Sequence, residues 1–187
     1  MNSIRRRRAP TAVSEPKHGF AVWITGLPAS GKSTVAAALA SELRARGVDV
    51  EVLESDVLRR IFTPQPRYDE AERDAFYGQV AYIGALLARH GVAVIFDATA
   101  NLRTYRDRAR QQIPRFLEVY VDTPLEVCIT RDPKGVYREG RAVPGLQASY
   151  EPPLHPDLVI HGDQEPPENA AHRIVAKLIG SGLVRNR

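Results

Sequence analysis

Residues 20–39 read FAVWITGLPASGKSTVAAAL. The apolar run 20–25 has the length and composition of a buried strand. Residues 33–46 place Val35, Ala38, Leu39 and Leu43 at helical spacing, with Gly47 as the stop. Between the two, Gly26-Leu27-Pro28-Ala29-Ser30-Gly31-Lys32-Ser33 satisfies G-x-x-x-x-G-K-[ST] in its required setting, strand before and helix after. Backbone N–H groups that surround a phosphate must turn inward, and glycine permits that turn without a Cβ clash. The helix N-terminus adds partial positive charge. Gly26, Pro28, Ala29, Ser30, Gly31, Lys32, Ser33 and Thr34 are therefore the expected nucleotide cradle. Lys32 is expected to reach the β- and γ-phosphates of ATP, and Ser33 to offer its hydroxyl to Mg²⁺.

Outward from this loop the chain alternates. Strands are expected at 48–53, 92–97, 115–122 and 157–162, and helices at 70–89, 102–112 and 167–180. Thr123-Pro124 is expected to open a short helix, as an N-cap with proline at the first helical position. Such alternation implies an α/β fold of three layers, with a central, mostly parallel five-stranded sheet covered on both faces. Residues 133–156 break the pattern with eight Gly and Pro residues, among which lie Lys134, Arg138 and Arg141. A loop of this length is a candidate mobile lid over anionic ligands; the plain alternative is an irregular solvated excursion.

Ligands of such sheets gather outside the carboxyl ends of the strands. Two strand ends carry acids there: VEVLESD delivers Glu54 and Asp56, and AVIFDAT delivers Asp97. Acids at these places hold Mg²⁺ through water or accept a proton from an attacking hydroxyl. Asp97 is assigned to the metal with Ser33, because an apolar run before it implies burial and a buried carboxylate needs a counter-charge. Arg59, one helical turn after Asp56, can fork onto an anionic substrate. Arg103, Arg106, Arg108 and Arg110 form either a solvated helix face or a face with one ligand-directed member. Arg131, just before the long loop, is placed to reach the transferring phosphoryl group.

Composition narrows the classes. Apolar residues make up 43% of the 187, as in a globular domain, and no apolar run approaches the ~18 residues of a membrane span. The net charge of +4 resides in residues 1–18, where Arg5, Arg6, Arg7, Arg8 and Lys17 face only Glu15. This segment reads as a basic N-terminal tail with no apolar stretch of a secretory signal, and 19–187 as one domain. The balanced remainder speaks against duplex binding. Cys128, the only cysteine, permits no internal disulfide; it reads as a small core residue of a cytoplasmic protein.

Taken together, GFAVWITGLPASGKST, LESDVLR, VYVDTPLEVCITRDPKGVYREG and YEPPLHPDLVI resemble the adenylylsulfate kinase family over roughly 19–163. RDPKGVY is the most specific segment, close to the family's Arg-Asp-x-Lys-Gly-Leu-Tyr. The resemblance implies a P-loop kinase fold, MgATP as donor, a mobile lid and commonly a homodimer. It also implies that Asp56 matches the second aspartate of the family's Leu-Asp-Gly-Asp, that Glu54 stands in for the first, that Arg59 matches the arginine after it, and that Lys134 is the lid lysine. The departures are specific. Ser55 replaces a glycine, and AERDAFYGQVA stands where the family has Glu-Asn-Ile-Arg-Arg, with Arg73 the candidate for the missing arginine. FDATANLR replaces a strand end in Ile-Ser-Pro, and its Asp-Ala-Thr-x-Asn-Leu is similar to P-loop kinases of sugars or polynucleotide 5′-ends. Leu146 occupies the place of a lid phenylalanine that helps sandwich the substrate adenine.

The expected activity is transfer of the γ-phosphoryl group of ATP to a hydroxyl of a small molecule, foremost the 3′-hydroxyl of adenosine 5′-phosphosulfate (APS). Lys32, Asp56, Asp97 and Arg131 would be catalytic; Glu54, Asp56, Arg59, Arg73, Asn101 and Lys134 would bind substrate. Two rivals stand beside it: a kinase of another hydroxyl compound (a sugar, an antibiotic-like alcohol or a 5′-hydroxyl end), and a nucleotide switch without an acceptor.

Overall fold

Strands β1 (Ala21–Thr25), β2 (Val50–Glu54), β3 (Ala93–Asp97), β4 (Phe116–Asp122) and β5 (Leu158–His161) form one parallel sheet in the order β2-β3-β1-β4-β5. Among the described residues seven helices accompany them: α1 (Lys32–Ala45), α2 (Ser55–Phe62), α3 (Glu70–Arg89), α4 (Arg103–Gln112), α5 (Leu125–Arg131), α6 (Val136–Glu139) and α7 (Pro167–Gly180). This computed structural model describes residues 19–140 and 142–186, so the basic tail 1–18 and Arg141 lie outside the described residues.

The two-residue period of the strands sorts the core into two apolar layers. Val22, Ile24, Ile95 and Val119 face α1 and α7, where they meet Leu39, Leu43, Ile174 and Leu178. Trp23, Val94 and Phe96 face α3 and α4, where they meet Phe76, Val80, Tyr105 and Ala109. Trp23 stacks on Phe96 at 4.4 Å, and its indole N–H donates to the Ala98 carbonyl at 3.1 Å. Gly84 of α3 lets that helix close on the pair. A Cβ there would lie 2.1 Å from Cζ of Phe96. Gly84→Ala is expected to destabilise the protein by about 1–3 kcal/mol, because overpacking a dense core forces side chains off their rotamers. An unchanged urea midpoint would show that α3 rides outward freely.

Several boundaries follow local chemistry rather than apolar periodicity. Strand β2 starts at Val50, not 48, and takes in Glu54, while Val48 serves the end of α1. Gly47 is left-handed (φ 72°), its N–H donates to the Arg44 carbonyl and that of Val48 to the Leu43 carbonyl, the expected glycine stop. Thr123 does not cap α5, contrary to expectation: Pro124 holds the N-cap place, and the Thr123 hydroxyl donates to the Ser30 carbonyl at 2.9 Å. The end of β4 is thereby tied to the P-loop. Helix α2 has no fully buried residue, and it carries Asp56 and Arg59 one turn apart, as expected. The expected loop 133–156 contains α6 and a turn bridging Pro144 and Ala148.

A third apolar group joins this segment to the P-loop. Cys128, Tyr137 and Val143 pack with Leu27 and Ala29, and the Tyr137 hydroxyl donates to the Pro28 carbonyl at 2.9 Å. Cys128 is buried in this group, a core residue as expected, and burial pushes its thiol pKa up. Beneath α4, Arg106 is fully buried. It pairs with Glu118 at 2.7 Å and donates to the carbonyls of Ala100 and Glu151. Its neighbours Arg103, Arg108 and Arg110 pair with Glu151, Asp74 and Glu118 respectively. None of these four arginines lines the cavity described next, so none is ligand-directed there, and buried Arg106 departs from the solvated face as well.

Candidate active site

A cavity of about 1330 Å³ opens at the carboxyl ends of β1, β2 and β3. That exceeds the ~300–1,000 Å³ of an ordinary single-ligand pocket.

One end is the P-loop. Pro28, Ala29, Gly31, Lys32, Ser33 and Thr34 line the cavity, with Ala29 (φ 59°) and Gly31 (φ 105°) both left-handed. Gly26 and Ser30 support the loop from beneath instead. A Cβ on Gly26 would stand 2.5 Å from the Val121 carbonyl oxygen, and Ser30 is buried with its hydroxyl unpartnered among the described residues. The Lys32 ammonium donates to the Leu27 carbonyl at 2.7 Å, curled across its own loop. Burial lowers its pKa, while the negative fields of Asp97 and Asp56 oppose that drop.

The acids come together at the centre. The β2–β3 register sets Glu54 beside Asp97, and β1 sets Ile24 on the other side of Asp97. Asp97 is buried, and no salt bridge among the described residues includes it. Asp56, in the first turn of α2, makes an ion pair with Lys134 of the lid; both side chains are about 60% exposed. This pairing raises the Lys134 pKa. An ion pair so exposed is worth little, so an arriving ligand displaces it at small cost. Arg131 lines the cavity and donates to the Gly162 carbonyl at 2.9 Å.

The far end is cationic and aromatic. Arg59 lies 4.0 Å over the Phe76 ring and 5.1 Å over Tyr68, and pairs with Glu72 at 3.2 Å. Arg73 is buried, with Nε donating to the Tyr68 carbonyl at 3.0 Å, Nη1 to Asn101 Oδ1 at 3.1 Å and Nη2 to the Ala142 carbonyl at 2.7 Å. Both carbonyls belong to left-handed non-glycine residues, Tyr68 (φ 60°) and Ala142 (φ 53°). Asn101 is buried behind Arg73 and does not line the cavity. Tyr68 and Tyr77, which do line it, were not among the sequence-derived candidates. For Tyr68 a signal existed: Asp69 caps α3 through the Glu72 N–H, and that Asp-x-x-Glu spacing sets Tyr68 at the helix entry. Leu146, in the place of the lid phenylalanine, is exposed and also stands away from the cavity.

One cavity thus brings together the P-loop, the carboxylates Glu54, Asp56 and Asp97, and the cations Arg59, Arg73, Arg131 and Lys134. The pattern described as adenylylsulphate kinase matches residues 18–161. The chain belongs to the adenylylsulphate kinase family. An adenylyl-sulfate kinase of Synechococcus sp. (strain JA-3-3Ab) is 40% identical over 148 residues, which cover 76% of this chain and 84% of that protein. The Mycobacterium tuberculosis APS kinase in complex with AMPPNP and APS superposes with TM-score 0.81 at 32% identity, covering 87% of this chain and 99% of the other. A sugar kinase of Janibacter sp. HTCC2649 shares the fold less closely, with TM-score 0.65 at 26% identity over 90% of this chain and 99% of its own. In this chain β3 ends on Asp97, and Thr99 and Asn101 follow in the loop between β3 and α4.

Proposed function

We propose that the protein transfers the γ-phosphoryl group of ATP to the 3′-hydroxyl of APS, giving 3′-phosphoadenosine 5′-phosphosulfate. The observation that carries this reading is the pairing, in one cavity, of the P-loop with a buried arginine, Arg73, that has no carboxylate partner among the described residues. A buried cation of this kind calls for an anion. The cavity volume supports a second ligand, which a nucleotide switch does not need.

Transfer of a phosphoryl group leaves a protein mainly to position and neutralise. The P-loop amides and Lys32 hold the donor phosphates. Asp56 or Asp97 receives the proton of the attacking hydroxyl. Arg131 and Lys134 bring positive charge from the lid, Lys134 once it leaves Asp56. Glu54 and Arg59 border the acceptor, and Arg73 faces its anionic group. The donor set fits magnesium: Ser33 is exposed and lines the cavity, and Asp97 is a carboxylate with no salt bridge among the described residues, both hard oxygen ligands. Bound there with phosphate oxygens, the ion would neutralise charge on the transferred group. A cytoplasmic setting accords with a lone buried cysteine and with no described helix long and apolar enough to cross a membrane. A homodimer has support in the exposed apolar side chains Tyr82 and Leu86, one turn apart on α3.

The test is ADP release with MgATP and a panel of acceptors: APS, sugars, an aminoglycoside-like alcohol and a 5′-hydroxyl oligonucleotide. APS alone should give turnover. Preference for a sugar or an oligonucleotide would overturn the acceptor assignment, and slow turnover with every compound would favour a switch.

A further inference from the structure

Asn101 stands one step behind the cavity wall, and its contacts are unusually determinate. Its side chain is buried. Oδ1 accepts from Arg73 Nη1 at 3.1 Å, and Nδ2 donates to the Ser149 carbonyl at 3.0 Å. Arginine only donates and a carbonyl only accepts, so one orientation of the amide satisfies both neighbours. The Asn101 carbonyl in turn accepts from the Glu151 N–H at 2.8 Å. Asparagine thus links Arg73 to the segment 149–151, through which the lid returns to the sheet.

Arg73 has five N–H groups. Among the described residues three are engaged, by Tyr68, Asn101 and Ala142, which leaves one on each terminal nitrogen. With Nη1 pinned by Asn101 and Nη2 by Ala142, the direction of the two remaining donors is fixed. The pinning group is neutral, so it orients the guanidinium and leaves its charge uncompensated.

We propose that Asn101 is a positioning residue for acceptor recognition: it aims Arg73 at the anionic group of the acceptor without touching the acceptor itself, and it makes that aim depend on a closed lid return. This rests on the reading of Arg73 as the residue facing the acceptor's anion. An aspartate at 101 would accept the same hydrogen bond but bring a counter-charge to Arg73 and set an oxygen against the Ser149 carbonyl. A residue that merely filled space would show no such dependence on charge.

The experiment is a double-mutant cycle with Asn101→Asp and Arg73→Gln, read as separate KM values for acceptor and ATP. In Asn101→Asp, acceptor KM should rise by about tenfold or more while ATP KM stays within about twofold, since a neutralised guanidinium loses its anion but the P-loop is untouched. In the Arg73→Gln background the same change should add nothing further. Independent, additive penalties, or parallel changes in both KM values, would overturn the proposal. Asn101→Ala run through the same cycle replaces Asn101→Asp if that variant fails to fold. Should the parent protein not turn over APS at all, the function proposed above fails, and positioning is then read from sulfate. With the P-loop filled by AMPPNP, sulfate should raise the melting temperature of the parent but not of Arg73→Gln or Asn101→Asp. Equal stabilisation of Asn101→Asp, or none of the parent, would refute it.

Discussion

Lys32→Ala should leave a folded protein whose phosphoryl transfer falls by about a thousandfold or more. The lysine is the one cation that the P-loop itself carries, and it lies buried at the mouth of the loop with its ammonium on the Leu27 carbonyl. Nucleotide phosphates would draw it from that carbonyl, so the same side chain serves the resting loop and the loaded one. Alanine removes a charge opposite the β- and γ-phosphates that water cannot replace in a buried place. The fold should survive, because burial already disfavours this ammonium and its removal relieves that strain. Activity retained at anything near the parental rate, with an unchanged melting temperature, would remove the P-loop from the mechanism.

Asp97→Asn should lower turnover by about a hundredfold to a thousandfold and ATP affinity by much less. Asparagine is nearly isosteric, so packing beside Ile24 and Glu54 is kept. What disappears is a negative charge assigned to metal and water. A second consequence concerns pH. Burial lowers the pKa of Lys32, and Asp97 is the largest influence that holds it up. Without Asp97 the lysine loses its proton at lower pH, so the alkaline limb of the residual pH–rate profile should move toward acid. Turnover equal to the parent would make Asp97 structural; an unmoved alkaline limb would uncouple it from Lys32.

The order and type of the long elements were legible because each carries its own period. β1 and β3 are buried apolar runs, β4 is a mostly buried strand that carries Glu118, and α3 and α7 match their expected ranges. The cradle was legible for a related reason: its chemistry is local, confined to eight consecutive residues. Asp97 could be placed because an apolar run ends on it. What escaped depends on distant partners. Arg106 lies among arginines of the same appearance, and only Glu118 on β4 decides that it is the buried one. Asn101 looked like a substrate ligand, and only the position of Arg73, 28 residues away, puts it behind the wall. Thr123 had the right sequence for a cap, yet the P-loop carbonyl of Ser30 claimed its hydroxyl. Tyr68 could be placed at the entry of α3 by the Asp69 cap, but its left-handed backbone, which a tyrosine does not advertise, could not be read.

The small apolar group around Tyr137 bears on how such kinases can be re-engineered. Leu27 and Ala29 pack in this group and the Pro28 carbonyl receives the Tyr137 hydroxyl, while Pro28 and Ala29 also line the cavity. Grafting residues 133–148 from a relative to borrow its acceptor preference would therefore graft a plug without its socket. Chimeras that carry residues 27–29 along with the graft should melt several degrees above those that do not, and a survey of paired chimeras by thermal shift would show whether donor loop and acceptor lid are separable modules or one inherited unit.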